Sequence, residues 1–334
     1  MMRGRPILVT GSIRSGTTWV GHVLGTAPGV AVIHEPFNID HPVGTFAHRW
    51  SNQYTFLTDG AAETRAVDRA MSDTLTFRYR PFSHVRNHEG MLRTLGLLRD
   101  LPRSWHRRHV SRPRPLLKDP IAVFSAEWLA ERFDMDVVIL VRHPGAFAWS
   151  YKRINEPNRL ADLLDQKTLM EGILAPYAVE VERAARTDDP IRQAATLWRI
   201  VYATVAGYRH RHPEWVIERH EDLSVDPLGR FSNLTERLDL PFTSRTRRFI
   251  DRTTNPHNPV EAPHDVLHHI RRNSRRNISV WQRRLTPEEI GRVRGLTEDV
   301  ADLFYTPASW SRPSSTESSL PSGGLADLPR MASS

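Results

Sequence analysis

Pro6-Ile7-Leu8-Val9-Thr10, followed by Gly11-Ser12-Ile13-Arg14-Ser15-Gly16-Thr17-Thr18-Trp19-Val20, is the stretch that most narrows what this chain can become. An apolar run breaks at glycine, passes through arginine and serine, and resumes over Thr17–Ala27 with Trp19, Val20, Val23 and Leu24 at helical spacing. Strand, tight loop and helix in that order make a cradle for an anion. The first N–H groups of a helix lack intrahelical partners and sit at the positive end of its dipole. The spacing Gly11-x4-Gly16 matches the first half of a Walker A loop, but Thr17 stands where that loop carries lysine. The missing lysine argues against Mg²⁺-triphosphate chemistry and suggests no obligatory metal.

The same alternation continues downstream. Val30–Ile33 is a short buried-strand run ending at His34-Glu35-Pro36-Phe37-Asn38, a turn that sets a carboxylate at the sheet edge where open α/β folds bind ligands. Leu116–Lys118 reads as a brief strand and Val123–Phe133 as a helix. Val137–Val141, the most apolar run, is the expected central parallel strand, and it delivers Arg142-His143-Pro144 to a helix over Gly145–Arg153. Pro190–Arg211 carries a helical stripe, Trp215–Arg219 a strand, and Pro227–Leu238 and Pro287–Leu303 amphipathic helices. Repeated strand-then-helix order predicts an α/β fold, a P-loop-like three-layer α/β/α arrangement around a mostly parallel sheet. Residues 1–305 are expected to form a single domain, with a helical insertion at 39–112 over the site. Its helical pieces are Ala61–Thr74 and Glu89–Leu101, and the punctuation Ser111-Arg112-Pro113-Arg114-Pro115 closes it. Ser, Pro and Gly dominate from Thr306 onward, which predicts a disordered tail over 306–334.

A cradle for anions needs cations. The formal charge is +8, and of the 46 basic residues only Lys118, Lys152 and Lys167 are lysines. Arginine's planar fork suits phosphate and sulfate, although a GC-rich genome produces the same bias. The charge therefore favours anionic partners without choosing between nucleic acid, acidic polysaccharide and nucleotide. The absence of cysteine excludes disulfides, zinc-thiolate sites and thiol catalysis. The start of the chain leads straight into a strand without an apolar signal core, and nothing approaches a membrane span, so a cytoplasmic protein is expected.

Ser12-Ile13-Arg14-Ser15-Gly16-Thr17-Thr18-Trp19 resembles the 5′-phosphosulfate-binding loop of the sulfotransferase family, which uses 3′-phosphoadenosine-5′-phosphosulfate (PAPS) as donor. Four further segments agree in order. His34-Glu35-Pro36-Phe37 and Leu117-Lys118-Asp119-Pro120 resemble the Glu-Pro and Lys-Asp-Pro motifs of carbohydrate-type sulfotransferases. Val137–Ser150 resembles the 3′-phosphate-binding strand and helix, with Arg142 and Ser150 at the matching positions. Glu218–Leu223 resembles the family's Tyr-Glu-Asp-Leu segment, with His220 in place of tyrosine. Many relatives close the 3′-phosphate site with a late Arg-Lys-Gly loop ahead of a tryptophan; Arg275, Arg276 and Trp281 are the nearest match, without the glycines.

The resemblance implies a PAPS-dependent sulfotransferase acting on an acceptor hydroxyl, a carbohydrate being one candidate, and releasing adenosine 3′,5′-bisphosphate. Donor-binding residues are then Arg14, Ser15, Gly16, Thr17, Thr18, Trp19, Arg142, Ser150, Arg275 and Arg276. Arg14 would also stabilise charge developing on the bridging oxygen. Glu35 is the first candidate for the base that takes the acceptor proton, with Asp119 in reserve and Lys118 either assisting the sulfuryl group or pairing with a carboxylate. The histidine that small-molecule relatives carry two residues beyond Lys118 is Pro120 here. Two other readings stay open: a P-loop nucleotide kinase, and a basic scaffold binding glycans or nucleic acid. No nucleic-acid partner is expected, because Arg-rich Ser104–Arg114 with Trp105 matches no recognised binding module. His264, His268 and His269 lack the Glu-x-x-His pattern of a metal site and read as surface residues.

Overall fold

β1 (Ile7–Gly11) ends where the apolar run breaks at glycine, and α1 (Thr17–Leu24) begins six residues later. The computed structural model describes residues 4–39, 46, 48, 50–60, 64–78, 102–261 and 270–311. β2 (Val30–His34), β3 (Arg114–Lys118), β4 (Asp136–Val141) and β5 (Val216–Arg219) join β1 in one sheet of order β2-β3-β1-β4-β5. Every neighbouring pair is parallel, with Leu8 opposite both Leu117 and Val137. All five C-terminal ends therefore share one edge, and the turns leaving the strands open there.

Helices cover both faces. Besides α1, the longer ones in chain order are α2 (Thr64–Leu75), α3 (Ala126–Phe133), α4 (Pro144–Arg153), α5 (Ala178–Ala185), α6 (Pro190–Arg211), α7 (His220–Val225), α8 (Pro227–Arg237), α9 (Ser244–Thr254) and α10 (Pro287–Ala301). Successive strand residues point to opposite faces. Leu8, Leu117, Val137, Ile139 and Val141 accordingly share one apolar cluster with Val67 of α2, Leu129 of α3, Phe147 of α4 and Val201 of α6. Ile7, Val9, Leu116, Val138 and Leu140 share the other with Val23 of α1, Phe231 of α8 and Ile250 of α9. Each fully buried Leu, Ile or Val contributes roughly 1.5–3 kcal/mol. The fold is the expected P-loop-like three-layer α/β/α arrangement around a parallel sheet. Among the described residues no helix is long and apolar enough to cross a membrane.

Several details differ from the sequence reading. The central position belongs to β1, with β4 beside it; both are buried on two faces, which is why their apolar runs look alike. β3 begins at Arg114, inside the stretch read as punctuation. Pro115 is tolerated because the β1–β3 pairing starts only at Ile7–Leu116, so its missing N–H falls where β3 has β2 as its only neighbour. The helix expected over Val123–Phe133 opens as a 3₁₀ segment, Pro120–Ser125. α9 escapes periodicity because Thr246 and Thr253 occupy buried positions beside Ile250. Within the stretch expected to be disordered, Pro307–Trp310 forms a 3₁₀ turn and buries Trp310 against His143 and Trp281, while 312–334 lie outside the described residues. The helix expected over Glu89–Leu101 and the three histidines His264, His268 and His269 lie outside the described residues.

Candidate functional site

The phosphate-type loop is shaped by two close approaches. At Gly11 an added Cβ would come within 2.5 Å of the Leu140 carbonyl oxygen of β4. Gly16, the N-cap of α1, has φ +100°, and a Cβ there would come within 2.5 Å of His220 Nδ1. Between them Arg14 takes a left-handed conformation at φ 61°, and Ser15 Oγ donates to the Ser12 carbonyl (2.6 Å). Ser15 thus uses its hydroxyl to close the turn. Gly16 has no side chain with which to cap α1, so first-turn N–H groups and the positive end of its dipole are open to a ligand among the described residues.

Beside this helix end lies a cavity of about 440 Å³, within the usual range for a small-molecule site. The loop contributes Arg14, Gly16, Thr17 and Thr18, and β4 with α4 contributes Arg142, Ser150 and Arg153. His220, beside Gly16, and Arg272 line it as well. Arg14 Nε donates to Ser150 Oγ (3.0 Å), and Arg142 Nη1 donates to the Arg14 carbonyl (2.6 Å), so the expected trio does converge. Trp198 of α6 fixes Arg142 in turn, its Nε1 donating to the Arg142 carbonyl (2.7 Å).

The electrostatics are those of a site built for an anion. Burial, then the neighbouring Arg142, lowers the Arg14 guanidinium to about 10. Arg272 falls to about 10 by burial and by Arg142, Arg14 and Arg153. Burial together with Arg142 and Arg272 lowers His220 to about 3, so its ring is neutral at physiological pH. Arg142 Nε and His220 Nδ1 are buried without a hydrogen-bond partner among the described residues. Clustered, desolvated cations with unspent donors gain most from a bound phosphate or sulfate.

Glu35 borders the same cavity. Its N–H donates to the Lys118 carbonyl (2.8 Å), extending the β2–β3 pairing by one residue before the chain turns at φ 46°. The carboxylate is ion-paired with buried Lys118 and accepts from Asn38 Nδ2 (2.7 Å). Burial pushes Glu35 up, but Lys118 and Asn38 outweigh it and hold the carboxyl below the usual glutamate range. Asp119 does not line the cavity. Its Oδ2 accepts from Phe37 N–H (2.7 Å) and its Oδ1 from Ile121 N–H (3.0 Å), so it ties the Glu35 turn to the start of the 3₁₀ segment. Complete burial raises it to about 7 in spite of those bonds.

Two expectations about the donor end change. Arg275 and Arg276 lie on the one-turn helix Ser274–Asn277 with exposed side chains and do not line the cavity. The arginine of that run that does is Arg272, held by its N–H to the Thr253 carbonyl (2.9 Å) just ahead of the capping Asn273. The cap offers the missed signal, since a residue before an N-cap still lies in the loop that faces the sheet edge. Trp19 meets the cavity, yet its ring is 7% exposed, packs edge-on against Phe231 and His220, and donates from Nε1 to Thr253 Oγ1 (3.1 Å). Its first role is core.

The sequence profile of the sulfotransferase family matches residues 6–244. No curated protein matches the sequence. Among solved structures, the sulfotransferase domain of the Synechococcus PCC 7002 olefin synthase is similar at 17% identity and TM-score 0.48, covering 92% of this chain and 97% of that one. The sulfotransferase domain from the curacin biosynthetic pathway follows at 15% and 0.46, covering 88% and 98%. Sulfotransferase STF9 from Mycobacterium avium is similar at 16% and 0.44, covering 90% and 76%. The matched profile runs from β1 to the first residue of α9 and takes in the loop, Glu35, Lys118, Arg142, Ser150 and His220; the chain belongs to the sulfotransferase family.

Proposed function

We propose that the protein transfers a sulfuryl group from PAPS to the hydroxyl of an acceptor, a carbohydrate being the class to test first. The observation that carries this is the meeting of an uncapped helix N-terminus, Arg14, Arg142 and Arg272 with a buried, ionised glutamate in one cavity. The orphaned, buried donor Arg142 Nε fits a phosphorylated nucleotide. PAPS supplies the sulfuryl group on its 5′-phosphate.

The residues then divide the work. The α1 N-terminus with Thr17 and Thr18 holds the 5′-phosphate, and Arg14 stabilises the negative charge left on its oxygen. Arg142, Ser150 and Arg272 hold the 3′-phosphate. Glu35 takes the proton from the acceptor hydroxyl as its oxygen bonds to sulfur, and Lys118 with Asn38 keeps that carboxylate ionised and aimed. Asp119, with both oxygens given to backbone N–H groups, positions the turn that carries Glu35.

The test is transfer of sulfur label from PAPS to a panel of saccharide, phenolic and lipid hydroxyls. Label appearing on one class, with adenosine 3′,5′-bisphosphate as co-product, is expected. Label transfer from the γ-phosphate of ATP with Mg²⁺ instead would establish the kinase reading, which Thr17 in the Walker lysine position disfavours.

A further inference from the structure

The segment after α10 folds back onto the junction that supplies Arg142. His143, between Arg142 and α4, accepts at Nδ1 from Gly145 N–H (3.1 Å). Its proton is therefore on Nε2, which faces Ser309 Oγ at 3.2 Å, and Ser309 Oγ donates onward to the Thr306 carbonyl (2.7 Å). Three rings enclose the imidazole: Trp281 stacks on it at 4.6 Å and 18°, and Trp310 and Tyr305 meet it edge-on at 4.6 and 5.0 Å. Glu221 holds the backbone of the same residue, accepting from His143 N–H (3.0 Å) and from Tyr305 O–H (2.8 Å). The segment is anchored at both ends by Arg219 Nη1 to the Phe304 carbonyl (3.2 Å) and Gln282 Nε2 to the Ser311 carbonyl (2.8 Å). Burial, then Arg142, keeps His143 neutral by lowering it to about 3, so the polarity of this chain of hydrogen bonds holds across the working pH range.

We propose, resting on the donor reading above, that Ser309 and Trp310 are positioning residues for the donor's 3′-phosphate, acting through His143 to fix Arg142 and the first turn of α4. Neither lines the cavity. Trp281 lies over the imidazole face and over Gly145, where a Cβ would collide with its ring, and Ser309 with Trp310 forms a clasp on the rest of the imidazole. With both in place Arg142 has one orientation, its carbonyl bound by Trp198 and its Nη1 by Arg14. Without the clasp His143 loses an edge-on ring and the acceptor for its Nε2–H, and the residue before it inherits that freedom.

The experiment compares adenosine 3′,5′-bisphosphate with adenosine 5′-monophosphate, which lacks the 3′-phosphate, by titration calorimetry on the full chain. Parent, Ser309→Ala, Trp310→Ala and Trp310→Phe are measured, with thermal unfolding as the check on folding. The preference for the bisphosphate is expected to fall about tenfold in Trp310→Ala, to fall about threefold in Ser309→Ala, and to return in Trp310→Phe. A ratio unchanged in folded variants, whether both affinities drop together or neither does, overturns the proposal and leaves the clasp purely structural. If Trp310→Ala does not fold, Ser309→Ala decides by the same ratio. A parent with no preference between the two nucleotides refutes the donor reading itself, and that result is distinct because it appears before any variant is compared.

Discussion

Replacing Gly16 with alanine probes the loop at its tightest point. Two costs follow from the structure. A left-handed conformation costs an L-residue roughly 1–2 kcal/mol, and Gly16 sits at φ +100°. The new Cβ would also lie 2.5 Å from His220 Nδ1, so the ring must move. That ring is hemmed by Trp19 at 5.9 Å and by Ser224 Oγ at 3.4 Å from Nε2, and overpacking of this kind costs about 1–3 kcal/mol. Together the expected loss is roughly 2–5 kcal/mol. Urea unfolding measures it, and a double-mutant cycle with His220→Ala separates the parts. Emptying the His220 position relieves the collision but not the backbone strain, so the two substitutions should be less than additive by about 1–3 kcal/mol. A loss under about 0.5 kcal/mol for Gly16→Ala, or simple additivity with His220→Ala, would refute the claim that this contact dictates glycine.

Four further outcomes bear on the site. Glu35→Gln should retain affinity for adenosine 3′,5′-bisphosphate and lose about 10²–10⁴-fold in turnover; unchanged turnover removes Glu35 as base. Because Lys118 and Asn38 depress the Glu35 carboxyl, activity should persist as pH falls through the ordinary glutamate range and be lost only below it; Lys118→Met removes the cation and should move the acid limb of kcat/KM to higher pH, and an unmoved limb contradicts the pairing. Asp119→Asn turns an amide nitrogen toward one of two backbone N–H donors and should cost about 1–3 kcal/mol in denaturant unfolding with turnover of the folded protein kept within a few-fold, whereas a loss like that of Glu35→Gln would pass the base to Asp119. Arg272→Ala should weaken adenosine 3′,5′-bisphosphate about tenfold or more, and Arg275→Ala or Arg276→Ala less than about twofold; the reverse order would restore the two exposed arginines to the site.

What could be read before folding was whatever is local. The loop Gly11–Thr18, the turn at Glu35 and the pair Arg142 and Ser150 each belong to a single strand–turn–helix unit, so the order of residue types states where the side chains end up. Parallel strands place all those turns on one edge, and convergence follows from topology. The illegible part is contributed across the chain. Arg272 reaches the cavity because its N–H bonds Thr253, and His220 because it packs over Gly16; neither fact has a signature within a window of a few residues. Asp119 reads in the sequence as a reserve base, and the Phe37 N–H that its Oδ2 accepts comes from a distant turn with no signature in the Lys-Asp-Pro motif. Trp310 stands in a Ser- and Pro-rich stretch whose composition argues for disorder, and its packing against His143 and Trp281 depends on partners far away in the sequence.

The most direct measurement of the central claim is calorimetric titration of adenosine 3′,5′-bisphosphate against ADP, on the parent and on Arg14→Ala. Tighter binding of the bisphosphate without Mg²⁺, reduced about tenfold or more by Arg14→Ala, is the predicted result. Equal binding of the two nucleotides, or indifference to the loss of Arg14, would contradict it.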